Sequence, residues 1–391
     1  MKKTICMVLV LVMALVLLAG CGGQSGGSSN VIKVGWLGPL TGNVAQYGQA
    51  VKNGVDLYVE QLNAAGGING KKIELVSYDE EGDATKAVTG YNSIMDQGVV
   101  AIIGSVTTAP TVAVVTESFA DNTPMITASA TAIPVTYNEE TDTVYTNMFR
   151  SCFIDSFQGV TMARFAKDVI GASTAAVLYD NGDTYSTGVY DYFVNECAAQ
   201  GIDVVATESY ASGSVDFSGQ LTNIAAANPD VLFLPVYYND VALIASQAAA
   251  AGITAPMLGV DGWSSVLDAV SDTALVEGAY YCSGYSVEDT RPLVVSFLED
   301  YGKKYNGNTP NMFDAQGYDA AWILFDAIAA AEKSGKKYGS DEYKQAIIDA
   351  MAATDKEFVT GRVSFDSHND PQKSAAIIKI SGGAESFWGN F

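Results

Sequence analysis

The sequence predicts an α/β protein built from two similar doubly wound parallel-sheet lobes, and three observations carry that expectation. Short apolar runs alternate with stretches of helical periodicity in the order strand, helix, strand, helix. The alternation begins at Val31 and begins again at Ala175. At 391 residues the chain is long enough for two domains of roughly 100–200 residues each. A single long doubly wound sheet is the alternative arrangement.

In the first half, Val31 to Leu37 reads as a buried strand, Gly38 to Asn43 as a turn, and a helix follows to about Ala65. Val51, Val55, Tyr58, Leu62 and Ala65 share one face of that helix. Gly66-Gly67 stops it, and Ile73 to Tyr78 is the next strand. Ala84, Val88, Tyr91 and Met95 mark a second amphipathic helix, followed by the apolar strand Val99 to Ile103. Pro110 suits the first turn of a third helix, and Pro124 to Thr127 is a further short strand. The second half repeats this with strand Ala176–Tyr179, helix Ser186–Gln200, strand Val204–Thr207 and helix Phe217–Ala227, then strand Val231–Leu234 and helix Asp240–Ala250. Local wording repeats too: Asn63-Ala64-Ala65-Gly66 against Cys197-Ala198-Ala199-Gln200-Gly201, each before a strand. Beyond Tyr281 helices return over Pro292–Tyr305, Tyr318–Ala331 and Asp341–Ala353, and a pair of short strands, Gly361–Phe365 and Ala375–Ile380, closes the chain.

Residues 1–20 read as an export signal. Lys2 and Lys3 precede an apolar run from Ile5 to Leu18, and small residues follow. The ending Leu18-Ala19-Gly20-Cys21 resembles a lipobox, which would make Cys21 the acylated mature N-terminus. Residues 21–30, rich in Gly and Ser, read as a flexible tether. No later run reaches the length of a membrane span. Cys152, Cys197 and Cys282 then remain, buried as small hydrophobes or with one disulfide among them.

Composition removes whole classes of function. Twenty-one Lys+Arg against 44 Asp+Glu gives a formal charge of −23, which opposes nucleic-acid binding. A single histidine, His368, excludes multi-histidine metal sites, and its polar surroundings Asp366 to Asp370 read as a turn. Calcium at Asp366, Asn369 and Asp370 is weaker than that turn reading. The first βα turn, Gly35-Trp36-Leu37-Gly38-Pro39-Leu40-Thr41-Gly42, is no dinucleotide fingerprint, and neither a P-loop nor a nucleophile elbow is present. Acidic pairs such as Glu80/Glu81 and Glu139/Glu140 read as solvated faces. Catalysis has no candidate, and no cofactor is expected.

Binding has better candidates, because α/β sheets hold ligands beyond the carboxyl ends of their strands. Gly104-Ser105-Val106-Thr107-Thr108-Ala109 follows an apolar strand and precedes a helix, offering hydroxyls and free amides to a carboxylate. Thr127-Ala128-Ser129-Ala130-Thr131 is a second hydroxyl-rich strand end. In the second half the strand ends offer Tyr185, Tyr237-Tyr238 and Asp261, and an acid directly after an apolar strand suits an ammonium group.

Several of these segments together resemble one family. Gly38-Pro39-Leu40-Thr41-Gly42 with Gln46-Tyr47-Gly48, and Ile68-Asn69-Gly70-Lys71-Lys72-Ile73-Glu74-Leu75, are two of them. Tyr78-Asp79 before Gly82-Asp83, Val177-Leu178-Tyr179-Asp180, Asp216-Phe217-Ser218 and Ala227-Asn228-Pro229-Asp230 are the others. From Val31 onward the chain resembles the branched-chain amino acid (leucine/isoleucine/valine) binding proteins of ABC importers, of type I periplasmic-binding fold. The resemblance implies that Thr108, Ser129 and Thr131 hold a ligand carboxylate, that Asp261 holds its ammonium, and that Tyr47, Tyr185 and Tyr237 close over its side chain. Tyr47 stands where some relatives have Trp, and a disulfide found near the loop in some members is absent because Gly82 and Thr107 stand there.

The resemblance further implies two lobes joined by a three-strand hinge, with residues 31–149 and 285–357 in lobe 1 and 150–284 and 358–391 in lobe 2. The crossovers fall near Phe149–Arg150, Tyr281–Tyr285 and Phe358–Ser364. The expected protein is a monomeric solute-binding lipoprotein, anchored by lipid on Cys21 to the outer face of the cell membrane. It would deliver an aliphatic amino acid to an ABC permease with its ATPase subunits. The rivals are another ligand on the same fold (an amide, a purine or an aromatic acid) and a ligand-sensing ectodomain.

Overall fold

The computed structural model describes residues 30–391, so the export signal, Cys21 and most of the tether lie outside the described residues. Strand β1 (Val31–Gly38) is buried along most of its length, as a strand covered on both faces must be. Helix α1 (Ala45–Ala64) returns the chain to β2 (Lys72–Asp79), and α2 (Ala84–Met95) leads to β3 (Ile102–Gly104). Helix α3 (Thr108–Ala120) leads to β4 (Met125–Thr127); a small hairpin, β5 (Tyr137–Asn138) and β6 (Thr143–Val144), precedes β7 (Met148–Arg150). The first sheet has the order β2-β1-β3-β4-β7, and every pair in it is parallel.

The second sheet repeats this programme. After α4 (Asp155–Phe165) come β8 (Thr174–Asp180), α5 (Thr184–Gln200) and β9 (Asp203–Tyr210), then α6 (Ser218–Ala227), β10 (Val231–Phe233) and α7 (Tyr238–Ala250). Strand β11 (Met257–Gly259), the single turn α8 (Val266–Ala269) and β12 (Tyr280–Ser283) complete the parallel part. Its order β9-β8-β10-β11-β12 matches that of the first sheet strand for strand. Two sheets rather than one long sheet is therefore the architecture.

Helices α9 (Pro292–Lys304), α10 (Met312–Lys333) and α11 (Asp341–Ala352) follow, and α10 and α11 pack on the first lobe. Helix α10 begins six residues before the periodic stretch at Tyr318, because Asn311 and Asp314 form a capping box ahead of it. The last strands correct the sequence reading. Gly361–Phe365 and Ala375–Ile380 do not pair with each other. Instead β13 (Asp355–Phe358) turns directly into β14 (Gly361–Ser364), the local antiparallel partner that a two-residue connection allows. Strand β15 (Ala376–Ser381) joins the open edge of β12 and is flanked in turn by β16 (Ala384–Asn390). Cys152, Cys197 and Cys282 are all buried free thiols, so no disulfide links them. Among the described residues no helix is long and apolar enough to cross a membrane.

Two buried polar networks pin segments where the chain leaves one sheet for the other. Arg150, fully buried at the end of β7, donates to the carbonyls of Ala130 and Ala132 (3.0 Å each) and pairs with Asp370 at 2.6 Å. Asp319 on α10 accepts from the amides of Val359 and Thr360, at 3.0 and 2.8 Å, and so holds the β13–β14 turn.

Helices α1 and α10 approach so closely that glycine is required at the contact. A Cβ built on Gly54 would lie 1.9 Å from Asp314 O, and one on Gly317 would lie 2.3 Å from Val51 O. That approach sets Tyr47 and Phe313, one near the start of each helix, edge to face with ring centroids 4.8 Å apart. Gly54→Ala is expected to lower stability by about 1–3 kcal/mol through overpacking, read from a urea denaturation midpoint.

Candidate functional site

In each sheet the order reverses beside the first strand, at β1/β3 and at β8/β10, which makes these the switch points where a crevice opens. The loops beyond these strand ends meet around a small cavity with about 250 Å³ of empty space, open solvent at its mouth included. Six residues singled out in the sequence line it: Tyr47, Thr108 and Ser129 from the first lobe, and Tyr185, Tyr237 and Asp261 from the second. Thr131 is buried but is not among the lining residues; its carbonyl accepts from Asp155 N–H (3.0 Å).

On the first-lobe side, Asp79 at the end of β2 accepts from the amide of Leu40 (2.8 Å) and the hydroxyl of Thr41 (2.7 Å). This fixes the turn that leads into Tyr47. Thr107 precedes α3 without capping it through its side chain, and Thr107 and Thr108 both line the cavity. Ser129 Oγ donates to Val106 O (2.6 Å) and Thr127 Oγ1 to Ser105 O (2.6 Å), bracing the loop after β3 against the loop after β4. Ser105 Oγ donates in turn to Glu80 Oε1 (2.7 Å). Glu80 is fully buried rather than solvated, contrary to the sequence expectation, and burial raises its carboxyl pKa.

On the second-lobe side, the rings of Tyr185 and Tyr237 stack at 4.9 Å with 1° between their planes. Tyr185 OH donates to Asp261 Oδ1 (2.6 Å) and accepts from Gly262 N–H (3.1 Å). Asp261 N–H donates to Gln158 Oε1 (2.9 Å). Asp261 is 2% exposed, and burial pushes its carboxyl up to about 6 against the Tyr185 hydroxyl, which favours the charged form. Burial also lifts Asp183 to about 6 and raises Asp240; both stand with Asp180 at the mouth of the cleft. No Lys, Arg or His is among the residues lining the cavity. The result is an asymmetric site, with an acid on one lobe, hydroxyls and the start of α3 on the other, and aromatic rings on both.

Tyr47 spans the two. Its hydroxyl donates to Gly262 O (2.5 Å) and accepts from Tyr238 N–H (3.1 Å), while its ring meets Tyr237 edge-on at 5.6 Å. Tyr238 OH reaches back to Asn43 O (2.8 Å).

Val106 and Thr107 lie in the loop that the sequence reading singled out, without being named as contacts, and Phe313 and Gly262 were not named as lining residues. A signal for Phe313 existed, because the Asn311/Asp314 capping box marks a helix start and places Phe313 in its first turn. His368 stacks on Tyr137 with centroids 4.3 Å apart, away from these strand ends. Asp370 in the same turn is taken by Arg150 and Thr136. No group of three potential metal ligands occurs among the described residues.

The model of one family, the periplasmic binding proteins, matches residues 31–384. The chain belongs to that family. A leucine-, isoleucine-, valine-, threonine- and alanine-binding protein of Pseudomonas aeruginosa is 29% identical over 344 residues, 88% of each chain. The structure of a leucine binding protein from Thermotoga maritima superposes with a TM-score of 0.83 at 29% identity, covering 92% of this chain and 98% of that one. A branched-chain amino acid transporter substrate binding protein from Streptococcus pneumoniae, in complex with isoleucine, gives 0.81 at 30% identity, covering 92% and 99%. The fold is thus of type I periplasmic-binding kind, and family membership carries with it a solute-binding role and a location outside the cytoplasm.

The Tyr47 bridge makes a prediction for this periplasmic binding protein. Tyr47→Phe leaves a buried amide and a carbonyl without their partner, which costs the closed arrangement about 1–3 kcal/mol. Hydrogen exchange at the Tyr238 amide is expected to quicken at least about fivefold.

Proposed function

We propose that this protein captures an α-amino acid with an aliphatic side chain between its lobes and delivers it to an ABC permease and its ATPase subunits. One observation carries the reading: Asp261, a buried carboxylate, lies in a cavity lined by no cation and shares it with Thr107, Thr108 and Ser129 of the other lobe, at the start of α3 and after β4. That arrangement fits a ligand with an ammonium at one end and a carboxylate at the other. The ammonium meets Asp261, and the carboxylate meets the amides and hydroxyls around Thr108 and Ser129. The rings of Tyr47, Tyr185, Tyr237 and Phe313 supply an apolar wall for the side chain. The amino acids in the relatives' names support the same class. A ligand without an ammonium, whether an amide, a purine or an aromatic acid, would leave the Asp261 carboxylate without a cation to neutralise it.

In this reading residues 31–149 and 285–357 move as one lobe and 150–284 with 358–391 as the other. They close by hinge motion about the three crossovers. The lobes are carried at the outer membrane face by lipid on Cys21. Cys21→Ser should shift the protein from the membrane fraction to the soluble fraction, or block its maturation, in a fractionation experiment.

Calorimetric titration of the mature domain with L-alanine, L-valine, L-leucine, L-isoleucine and L-threonine tests the ligand class. Binding of at least one is expected, and binding of none would sink the reading. The ammonium pairs with the ionised form of Asp261, so affinity should fall as pH drops through about 6 and hold steady above it. Asp261→Asn should weaken binding at least about tenfold near pH 7.5, equivalent to roughly 1.4 kcal/mol, and remove that part of the pH dependence. In the ligand-free protein the raised Asp261 pKa lowers stability as pH rises from the unfolded carboxylate value to about 6. The variant's melting temperature above that pH should therefore match or exceed the wild type's.

A further inference from the structure

Glu80 follows β2 directly, is 0% exposed, and has no task in the reading above. One of its carboxylate oxygens accepts from Ser105 Oγ (2.7 Å) and the other from the amide of Gly82. Its carbonyl accepts from Asp83 N–H (2.9 Å), and Asp83 in turn caps α2 by accepting from Lys86 N–H (2.8 Å). Glu80 is thus anchored to a helix start on one side and grips the loop after β3 on the other. No cation answers its charge there. Asp79 beside it adds like charge, and the Lys86 ammonium pairs with Glu81 instead (2.6 Å). Burying an acid in that way is costly. What it provides in return is a hydroxyl-to-carboxylate hydrogen bond, stronger than one to a neutral acceptor.

Ser105 passes that grip on. It is 0% exposed, and its carbonyl accepts from Thr127 Oγ1 (2.6 Å), which itself accepts from the amides of Ser129 (3.3 Å) and Ala130 (3.1 Å). Ser129 Oγ closes the circuit on Val106 O (2.6 Å). The loops after β2, β3 and β4 therefore form one hydrogen-bonded unit, of which Val106, Thr107, Thr108 and Ser129 line the cavity and Glu80 does not. The loop after β3 also packs directly on the end of β1, since a Cβ on Gly38 would lie 2.7 Å from Val106 Cγ2. Groups aimed at a ligand must be held to within about 0.5 Å, so the residues that lock them govern affinity without touching the ligand.

We propose that Glu80 is a positioning residue for the carboxylate end of the ligand, acting through Ser105 on the loop that carries Val106, Thr107 and Thr108. This rests on the amino-acid reading and adds to it a residue outside the cavity on which the hold on the carboxylate depends. The ammonium end, at Asp261 on the other lobe, is independent of it.

The test uses the mature protein, whichever of L-alanine, L-valine, L-leucine, L-isoleucine and L-threonine binds it most tightly, and the matching amino alcohol, which keeps the ammonium and side chain but lacks the carboxylate. Glu80→Gln keeps the side chain's size and removes its charge, and Ser105→Ala removes only the hydroxyl. In calorimetric titration each is expected to weaken the amino acid at least about threefold. The double variant should bind like the weaker of the two single variants, because both changes break one linkage. The amino alcohol should bind wild type and variants alike. A merely structural Glu80 would weaken both ligands equally, or its loss would multiply with that of Ser105→Ala. Either result overturns the proposal, as does unchanged amino acid affinity in Glu80→Gln. If the amino alcohol binds too weakly to titrate, the comparison of single and double variants decides alone. Should Glu80→Gln fail to fold, Ser105→Ala serves with the two ligands: a loss confined to the amino acid supports the proposal, and no loss or equal losses overturn it. If the wild type binds none of the five amino acids, the amino-acid reading and this proposal fall together; if it binds and the variants match it, only this proposal falls.

Discussion

Burying a carboxylate is expensive unless something answers its charge, and the second lobe of this protein is organised around one such group. Asp261 sits in the turn after β11, held by the hydroxyl of Tyr185 and anchored through its amide to Gln158. Those partners stabilise the carboxylate without neutralising it, since neither is a cation. The stacked pair Tyr185 and Tyr237 excludes water on one side and helps keep Asp261 in a low-dielectric setting. A weakly compensated acid in such surroundings is strongly attracted to an entering positive charge. This is how a binding site turns an unfavourable burial into differential affinity for a liganded, closed state.

The other lobe supplies the opposite polarity without supplying a charged group. The start of α3, which has no side-chain cap, brings the amides and hydroxyls of Thr107 and Thr108 to the cavity as donors, and the loops that carry them are braced by the hydroxyls of Ser129, Thr127 and Ser105. Such donors need no large reorganisation when a carboxylate arrives, because the backbone already holds them in place. The two polarities face each other because the two sheets share one strand order. Each sheet therefore presents the same switch point, and the crevices meet mouth to mouth.

Closure depends on side chains as well as on topology. The glycine contact between α1 and α10 brings Tyr47 and Phe313 together on the first lobe, and the Tyr47 hydroxyl then reaches a carbonyl and an amide of the second. The packing inside one lobe thus sets the reach of the bridge to the other. Arg150 and Asp319 fix segments that pass between the sheets.

Sequence by itself determined the elements that follow from local periodicity and composition. Two runs of buried strands and amphipathic helices, the turn residues between them, and an acid or aromatic residue beyond an apolar strand were all legible in one pass. They included Tyr185, Tyr237 and Asp261, which the structure gathers into one cavity with Tyr47, a residue that only the family resemblance had pointed to. What only the tertiary structure decided was which distant groups meet. Gln158 contacts an amide 103 residues away, and Tyr47 contacts a carbonyl 215 residues away, separations that no periodicity encodes. Glu80 looked like a surface acid because nothing near it in sequence shows that Ser105 covers it. The closing strands were mispaired for the same reason: β15 follows the free edge of β12, and an edge exists only once the sheet has formed.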